Sequence, residues 1–361
     1  FSASRLKPWG TAHIQRVALA ATVGFVLAAS GLAVAYRVVT GDPVGLLAVG
    51  AITVLTVLAA WVSRARSAPT AMTLAIAALV PVAATFTLAV PGQFGSTHLV
   101  LGAAGVTAWS LICLILPPGS EGDHGIASFT ATTVVGIAVL IAAGIETFWH
   151  LPLLSIGCGL ITAALLLIVS TPQLSALWAR LPLPVIPAPG DPTPSALPQR
   201  VLEDLPRRVR VSDAHQTGFI AGAVLLAVLG SVAIAMRPEA LTAWAWYVVV
   251  ATAVAAILRA RVWDSAWCKA WLLAQPYLTA VVLLVCYAAT ERYPAAFGAV
   301  LVLAVLALVL AVVALNPPIA SPDSYSLPMR RLVGFLASGI DASLMPIMAY
   351  LVGLFSWVLS R

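Results

Sequence analysis

Charge is scarce in this sequence. Its 361 residues include 19 Lys and Arg and 13 Asp and Glu, a charged fraction of 9%, against roughly 25% in soluble domains. With 61% hydrophobic residues and a mean hydropathy of +1.02, the chain cannot surround a core with polar surface. Composition therefore predicts an all-α integral membrane protein. Cysteine is scarce too: Cys113, Cys158, Cys268 and Cys286 all fall in apolar runs, without a CxxC pair or matched histidines. That pattern excludes a disulfide framework and a thiolate metal site. The five histidines, His13, His98, His124, His150 and His215, lie at run boundaries and never pair at ligand spacing.

Catalytic signatures are missing as well. The sequence contains no Walker A glycine loop, GxSxG, HExxH or GxGxxG, so no catalytic residue, metal or cofactor is expected. The sequence pI is about 9.5, yet no compact basic and aromatic patch accompanies it, so nucleic acid is not an expected partner. On a membrane protein the basic surplus belongs to loops facing the cytoplasm and its anionic lipids.

What the sequence has is long apolar runs. A hydrocarbon core of roughly 30 Å takes about twenty helical residues to cross. Eleven stretches qualify, at 15–36, 43–63, 70–91, 97–117, 126–147, 151–170, 215–236, 240–260, 266–288, 294–316 and 335–359. A cytoplasmic N-terminus collects fifteen of the nineteen basic residues on that side; only Arg37, Arg237, Arg292 and Arg361 fall opposite. The positive-inside bias therefore predicts the N-terminus inside and the C-terminus outside. The expected organisation is a short segment 1–14, a membrane half 15–170, a cytoplasmic loop 171–214 and a second membrane half 215–361.

The halves resemble each other. Arg64 and Arg66 match Arg259 and Arg261 at an offset of 195, and the same offset carries Pro81 onto Pro276. Spans one to five would repeat as seven to eleven, in parallel, with span six as joiner. Pro81 and Pro276 are expected to kink their helices. Asp341 is the one acid well inside an apolar run; it lies beside Gly334, Ser338 and Ala342, a small-residue row suited to close helix approach. Gly218 and Gly222 form a GxxxG of the same kind.

The loop divides in two. Seven prolines between Pro182 and Pro198 favour an extended strap. After it, Val201, Leu205 and Val209 recur every fourth residue, with Glu203–Arg207 and Asp204–Arg208 at i, i+4 spacing. This predicts an amphipathic helical segment interrupted at Pro206 and capped at Ser212 and Asp213 before span seven. Its arginines, Arg200, Arg207, Arg208 and Arg210, together with Arg64, Arg66, Arg259 and Arg261, are candidates for contact with lipid headgroups or with a protein partner.

The stretches PQLSALWARLPLPVIPAPGDPTP (Pro172–Pro194), EDLPRRVRVSDAHQTGFIAGAVLLA (Glu203–Ala227) and PMRRLVGFLASGIDASLMPIMAYLVGLFSWV (Pro328–Val358) closely resemble EccD, the polytopic component of mycobacterial type VII (ESX) secretion systems. The resemblance implies a non-enzymatic inner-membrane scaffold, normally preceded by a ubiquitin-like cytoplasmic domain. It also implies that two copies pair around a lipid-facing cavity and assemble with EccB, the ATPase EccC and EccE. The rival reading is a solute transporter of two five-helix repeats, with Pro81, Pro276 and Asp341 near its substrate path. A membrane-embedded transferase would need polar catalytic clusters that the sequence does not show.

Overall fold

The computed structural model describes residues 11–116, 123–181, 199–316 and 327–359. These residues form α1 (Thr11–Thr40), α2 (Val44–Ser63), α3 (Ala68–Ala77), α4 (Leu79–Leu88), α5 (Ser96–Ile115), α6 (Asp123–Trp149) and α7 (Leu153–Trp178). There follow α8 (Gln199–Ala235), a short 3-10 turn at Pro238–Ala240, α9 (Ala243–Arg259), α10 (Ala266–Ala289), α11 (Tyr293–Leu315), α12 (Leu327–Leu351) and α13 (Leu354–Leu359). No strand occurs among the described residues. Ten stretches are long and apolar enough to cross a membrane, and α9, 17 residues long, supplies an eleventh at the lower end of the usual range.

The third span is two helices rather than one. Pro81 has no N–H to donate and its ring crowds the carbonyl four residues earlier; that residue is Ala77, where α3 ends. The backbone still turns helically through Ala78, which donates to the Leu74 carbonyl while Val82 donates to the Ala78 carbonyl. The Trp109 indole N–H of α5 donates to the Ala75 carbonyl at 2.9 Å, holding the bend from outside. Pro276, the matching residue, sits within an unbroken α10. The two prolines therefore occupy similar places with different local outcomes.

The expected interruption at Pro206 does not occur. Residues 199–235 form one 37-residue helix with Pro206 inside it. Pro206 is exposed, so the carbonyl it frees can be hydrated and the helix passes through. Ser212 and Asp213, expected to cap a separate helix, lie within α8 and cap nothing. The loop is also shorter than 171–214, because α7 continues to Trp178 past Pro172. The proline strap lies outside the described residues.

The chain divides into two compact units, Phe1–Thr147 and Phe148–Arg361. Span six, expected in the first membrane half, thus groups with the second unit, where α7 packs extensively along α8. In the first unit α1 meets α2, both meet the α3–α4 pair, and α4 meets α5; in the second, α8 meets α9, both meet α10, and α10 meets α11. The first four spans of the two halves share this neighbour order.

A very close helix crossing lies between α7 and α8. A Cβ placed on Gly157 would sit 2.7 Å from the Gly230 carbonyl oxygen, and one on Gly230 would sit 2.7 Å from the Gly157 oxygen. Only hydrogen at both positions allows this backbone contact. Gly157→Val and Gly230→Val should each lower stability by about 1–3 kcal/mol through overpacking. Gly144→Ala, where the added methyl meets nothing within 4 Å, should leave it unchanged. Thermal unfolding of the detergent-solubilised protein followed by tryptophan fluorescence reads the difference.

Candidate functional site

Polar chemistry in this molecule is concentrated at helix ends. At the start of α8, Arg208 Nε meets Asp204 Oδ2 at 2.8 Å, one of the two ion pairs expected from spacing. The same guanidinium donates to the Arg180 carbonyl at 2.6 Å, just beyond α7. Arg208 therefore ties α8, about two and a half turns from its start, to the residue just beyond the end of α7. Glu203, Arg207, Val209 and Arg210 are exposed; Arg200 lies in the first turn, with its side chain outside the described set. Further along α8, His215 is buried with its ring 5.4 Å from that of Trp178 and 6.3 Å from that of Phe219.

At the end of α9 Arg259 forms a two-pronged bridge with Asp341 of α12, Nη2 to Oδ1 at 2.6 Å and Nε to Oδ2 at 3.3 Å. The Asp341 side chain is 36% exposed and that of Arg259 15%. Pairing with the last residue of α9 places Asp341 level with a helix end, which lowers the cost of its charge. The Tyr247 hydroxyl lies 2.6 Å from that of Ser343, adding a second tie between α9 and α12. Leu344 and Met348 of α12 are buried in the core, whereas Gly334, Ser338 and Ala342 are exposed. A Cβ on Gly334 would meet nothing within 4 Å, so no described helix packs closely against that glycine. Gly218 and Gly222 of α8 are buried.

In the first unit Arg64, just past α2, donates to the Leu116 carbonyl at 3.1 Å. Arg66 is exposed, as is Arg261 in the second unit. At the opposite end of α8, Arg292 donates to the Met236 carbonyl and reaches Glu239 Oε1 at 3.5 Å.

A cavity of about 530 Å³ opens between α9, α10 and α11 and is lined by Trp246, Val250, Pro276, Ala299 and Val302 among others. Its two hydroxyls are already committed: Thr279 donates to the Gln275 carbonyl and Tyr287 to the Ala235 carbonyl at 2.7 Å. Pro81 is buried in α4 and is not among the residues lining this cavity. A solute site needs convergent polar groups free to bind, and this chamber presents none. Among the described residues no three His, Cys, Asp or Glu side chains cluster as metal ligands would. Spacing did not single out the Gly157–Gly230 crossing, because neither glycine stands out in a chain holding 25 of them.

Such a molecule belongs to the class of polytopic helical membrane subunits, with apolar outward faces and charges gathered at helix ends. The EccD-like transmembrane domain matches residues 14–360. The ESX-3 secretion system protein EccD3 of Mycobacterium tuberculosis is 68% identical over 361 residues, 100% of this chain and 76% of the relative. Its counterpart from Mycolicibacterium smegmatis is 59% identical, covering 100% of this chain and 75% of the relative. A chain of protomer 1 of the ESX-3 core complex superposes with a TM-score of 0.89 at 56% identity, covering 98% of this chain and 78% of that one. The MycP5-free ESX-5 inner membrane complex contains the same fold, with a TM-score of 0.66 at 19% identity, covering 88% of this chain and 73% of that one. The chain is a member of the EccD family of ESX secretion-system membrane components, and the solute-transporter reading is set aside.

Removing one partner of the Arg259–Asp341 bridge strands the other charge at a partly buried site. Asp341→Asn should cost about 1–3 kcal/mol, and the double variant Arg259→Gln/Asp341→Asn should cost less than the sum of the single changes. A double-mutant cycle of unfolding midpoints measures the coupling.

Proposed function

We propose that this protein is a non-enzymatic scaffold of an ESX-type secretion complex in the bacterial inner membrane, with its N-terminus cytoplasmic and its C-terminus outside. The observation that carries this reading is the whole-length likeness to a chain of the ESX-3 core complex protomer. Two features of the molecule favour assembly over chemistry: the apolar cavity has its hydroxyls internally bonded, and several helices present broad apolar faces. Phe297, Leu301, Leu308 and Leu315 of α11 are all exposed, which suits a helix facing lipid or another membrane segment.

By its family resemblance, the complex contains a second copy of this chain, EccB, the ATPase EccC and EccE; EccC would supply the hydrolysis. On the cytoplasmic side, exposed Arg207 and Arg210 continue the α8 helix beyond the membrane, where Arg208 fixes its position against α7. That is a rigid, positively charged rod suited to an acidic partner surface. The proposed domain plan treats the segment around α8's start as the cytoplasmic joint between 15–170 and 215–361.

Gentle detergent extraction of the affinity-tagged full-length protein from its native host should recover a multi-subunit assembly. Reversing Arg207, Arg208 and Arg210 to Glu should reduce co-purified cytoplasmic partner roughly tenfold or more, a loss of about 1.4 kcal/mol of binding, and depress secretion. Unchanged assembly and secretion would remove the docking role of this segment. Recovery of a lone protein able to move a small solute in liposomes would overturn the scaffold itself.

A further inference from the structure

A second cavity, of about 210 Å³, is charged at one end and apolar along its walls. It is lined by Val57, Ala60, Trp61 and Arg64 at the end of α2, Ala75 of α3, and Trp109, Ile112 and Leu116 at the end of α5. From Arg64 to Val57 it follows α2 for about 10 Å, two helical turns. Its possible polar groups are already occupied: the Trp109 N–H is given to the Ala75 carbonyl, and the Leu116 carbonyl accepts from Arg64. What remains is an apolar slot with a guanidinium at its rim.

Among the described residues that guanidinium has no anionic partner. Asp204–Arg208, Arg259–Asp341 and Glu239–Arg292 form ion pairs among the described residues, and none of these involves Arg64. Arg259, which matches Arg64 at the 195-residue offset, is neutralised by Asp341. Two equivalent helix ends thus carry equivalent arginines, one closed by a carboxylate of its own unit and the other open beside a slot. A guanidinium binds phosphate oxygens two at a time. Trp61, largely exposed, stands where an amphipathic ring marks the membrane interface.

The geometry points to a binding site for one anionic phospholipid, its phosphate on Arg64 and part of one acyl chain in the slot between α2, α3 and α5. The lipid would come from the leaflet bordering the C-terminal ends of α2 and α5. It would complete the charge balance that Asp341 completes in the other unit, and would fill a gap between helices that the chain itself leaves open. This site stands independently of the assembly role, because it needs only the first unit in a membrane.

Native mass spectrometry of the full-length protein in detergent, titrated with dioleoylphosphatidylglycerol or dioleoylphosphatidylcholine, tests it. Wild type should hold one phosphatidylglycerol in preference to phosphatidylcholine. Arg64→Gln should weaken that lipid about fivefold, the effect of one basic residue near an anionic surface, while Arg64→Lys retains most of it and Arg66→Gln leaves it unchanged. Ile112→Trp, which crowds the slot from its exposed rim without altering charge, should also weaken it; unfolding midpoints confirm that each variant is folded. Glycerophosphoglycerol, the headgroup without chains, should not compete at equal concentration. Equal affinity for the two lipids, undiminished binding by Arg64→Gln and Ile112→Trp, or full competition by the free headgroup would each overturn the site. So would loss of self-association in Arg64→Gln with lipid binding intact, since the anion would then be a carboxylate of a second copy.

Discussion

A polar group that enters a bilayer has no water to bond, so it must be partnered by the chain that carries it or by whatever lies beside that chain. Most of this structure's internal order follows from that constraint. Threonines inside the helices return their hydroxyls to the carbonyl one turn back, as Thr56 does to Ile52, Thr107 to Ala103, Thr171 to Leu167 and Thr252 to Val248. Where the donor lies on another helix, the same requirement becomes tertiary structure. The Trp109 indole reaches α3 and the Tyr287 hydroxyl reaches the end of α8. These bonds say which helices must be neighbours, which the non-directional apolar contacts around them do not.

Charges obey the rule more strictly, because the cost of leaving one unpaired is larger. Three ion pairs involve a helix end or tie neighbouring turns: Arg208 to Asp204 and to the end of α7, Arg259 to Asp341, Arg292 to Glu239 and to the end of α8. The Asp341 carboxylate, which in isolation suggests a transport site, is a structural tie that seats α12 on α9. Its partner Arg259 matches Arg64 at the 195-residue offset but has a different neighbourhood: among the described residues a carboxylate meets Arg259 and none meets Arg64. Many internal polar groups are met within each unit, although the buried Ser30 and Thr133 hydroxyls and one Glu146 carboxylate oxygen have no hydrogen-bond partner among the described residues.

Much of the architecture was legible in the sequence. Apolar run length located the spans, because a helix crossing hydrocarbon has to be apolar along its whole length, and the runs at 97–117, 266–288 and 294–316 differ from α5, α10 and α11 by only a residue or two at most ends. The i, i+4 spacing of Asp204 and Arg208 was enough to predict their bridge, since one helix turn places them together. The neighbouring Glu203 and Arg207 share that spacing, yet no ion pair joins them. Local rules failed at Pro206, where a proline near a helix start and in contact with water does not end the helix, and at Pro276, which leaves α10 unbroken, whereas Pro81 divides its span. Proline's effect depends on whether the freed carbonyl can find a partner, and its surroundings decide that.

Composition and periodicity therefore determined the solvent this protein lives in, the number of its membrane crossings, the candidate basic ends and, through resemblance, its EccD family. These are properties of single segments meeting a bilayer, and a single segment's residues suffice to specify them. Only the tertiary structure decided that Gly157 and Gly230, among many glycines, bring two backbones into contact. It likewise decided that Asp341 belongs to Arg259, that Arg208 ties α8 to the residue just beyond α7, and that Arg64 overlooks a slot. Each of these is a relation between residues far apart in the chain, set by helix-to-helix packing for which one sequence carries no marker.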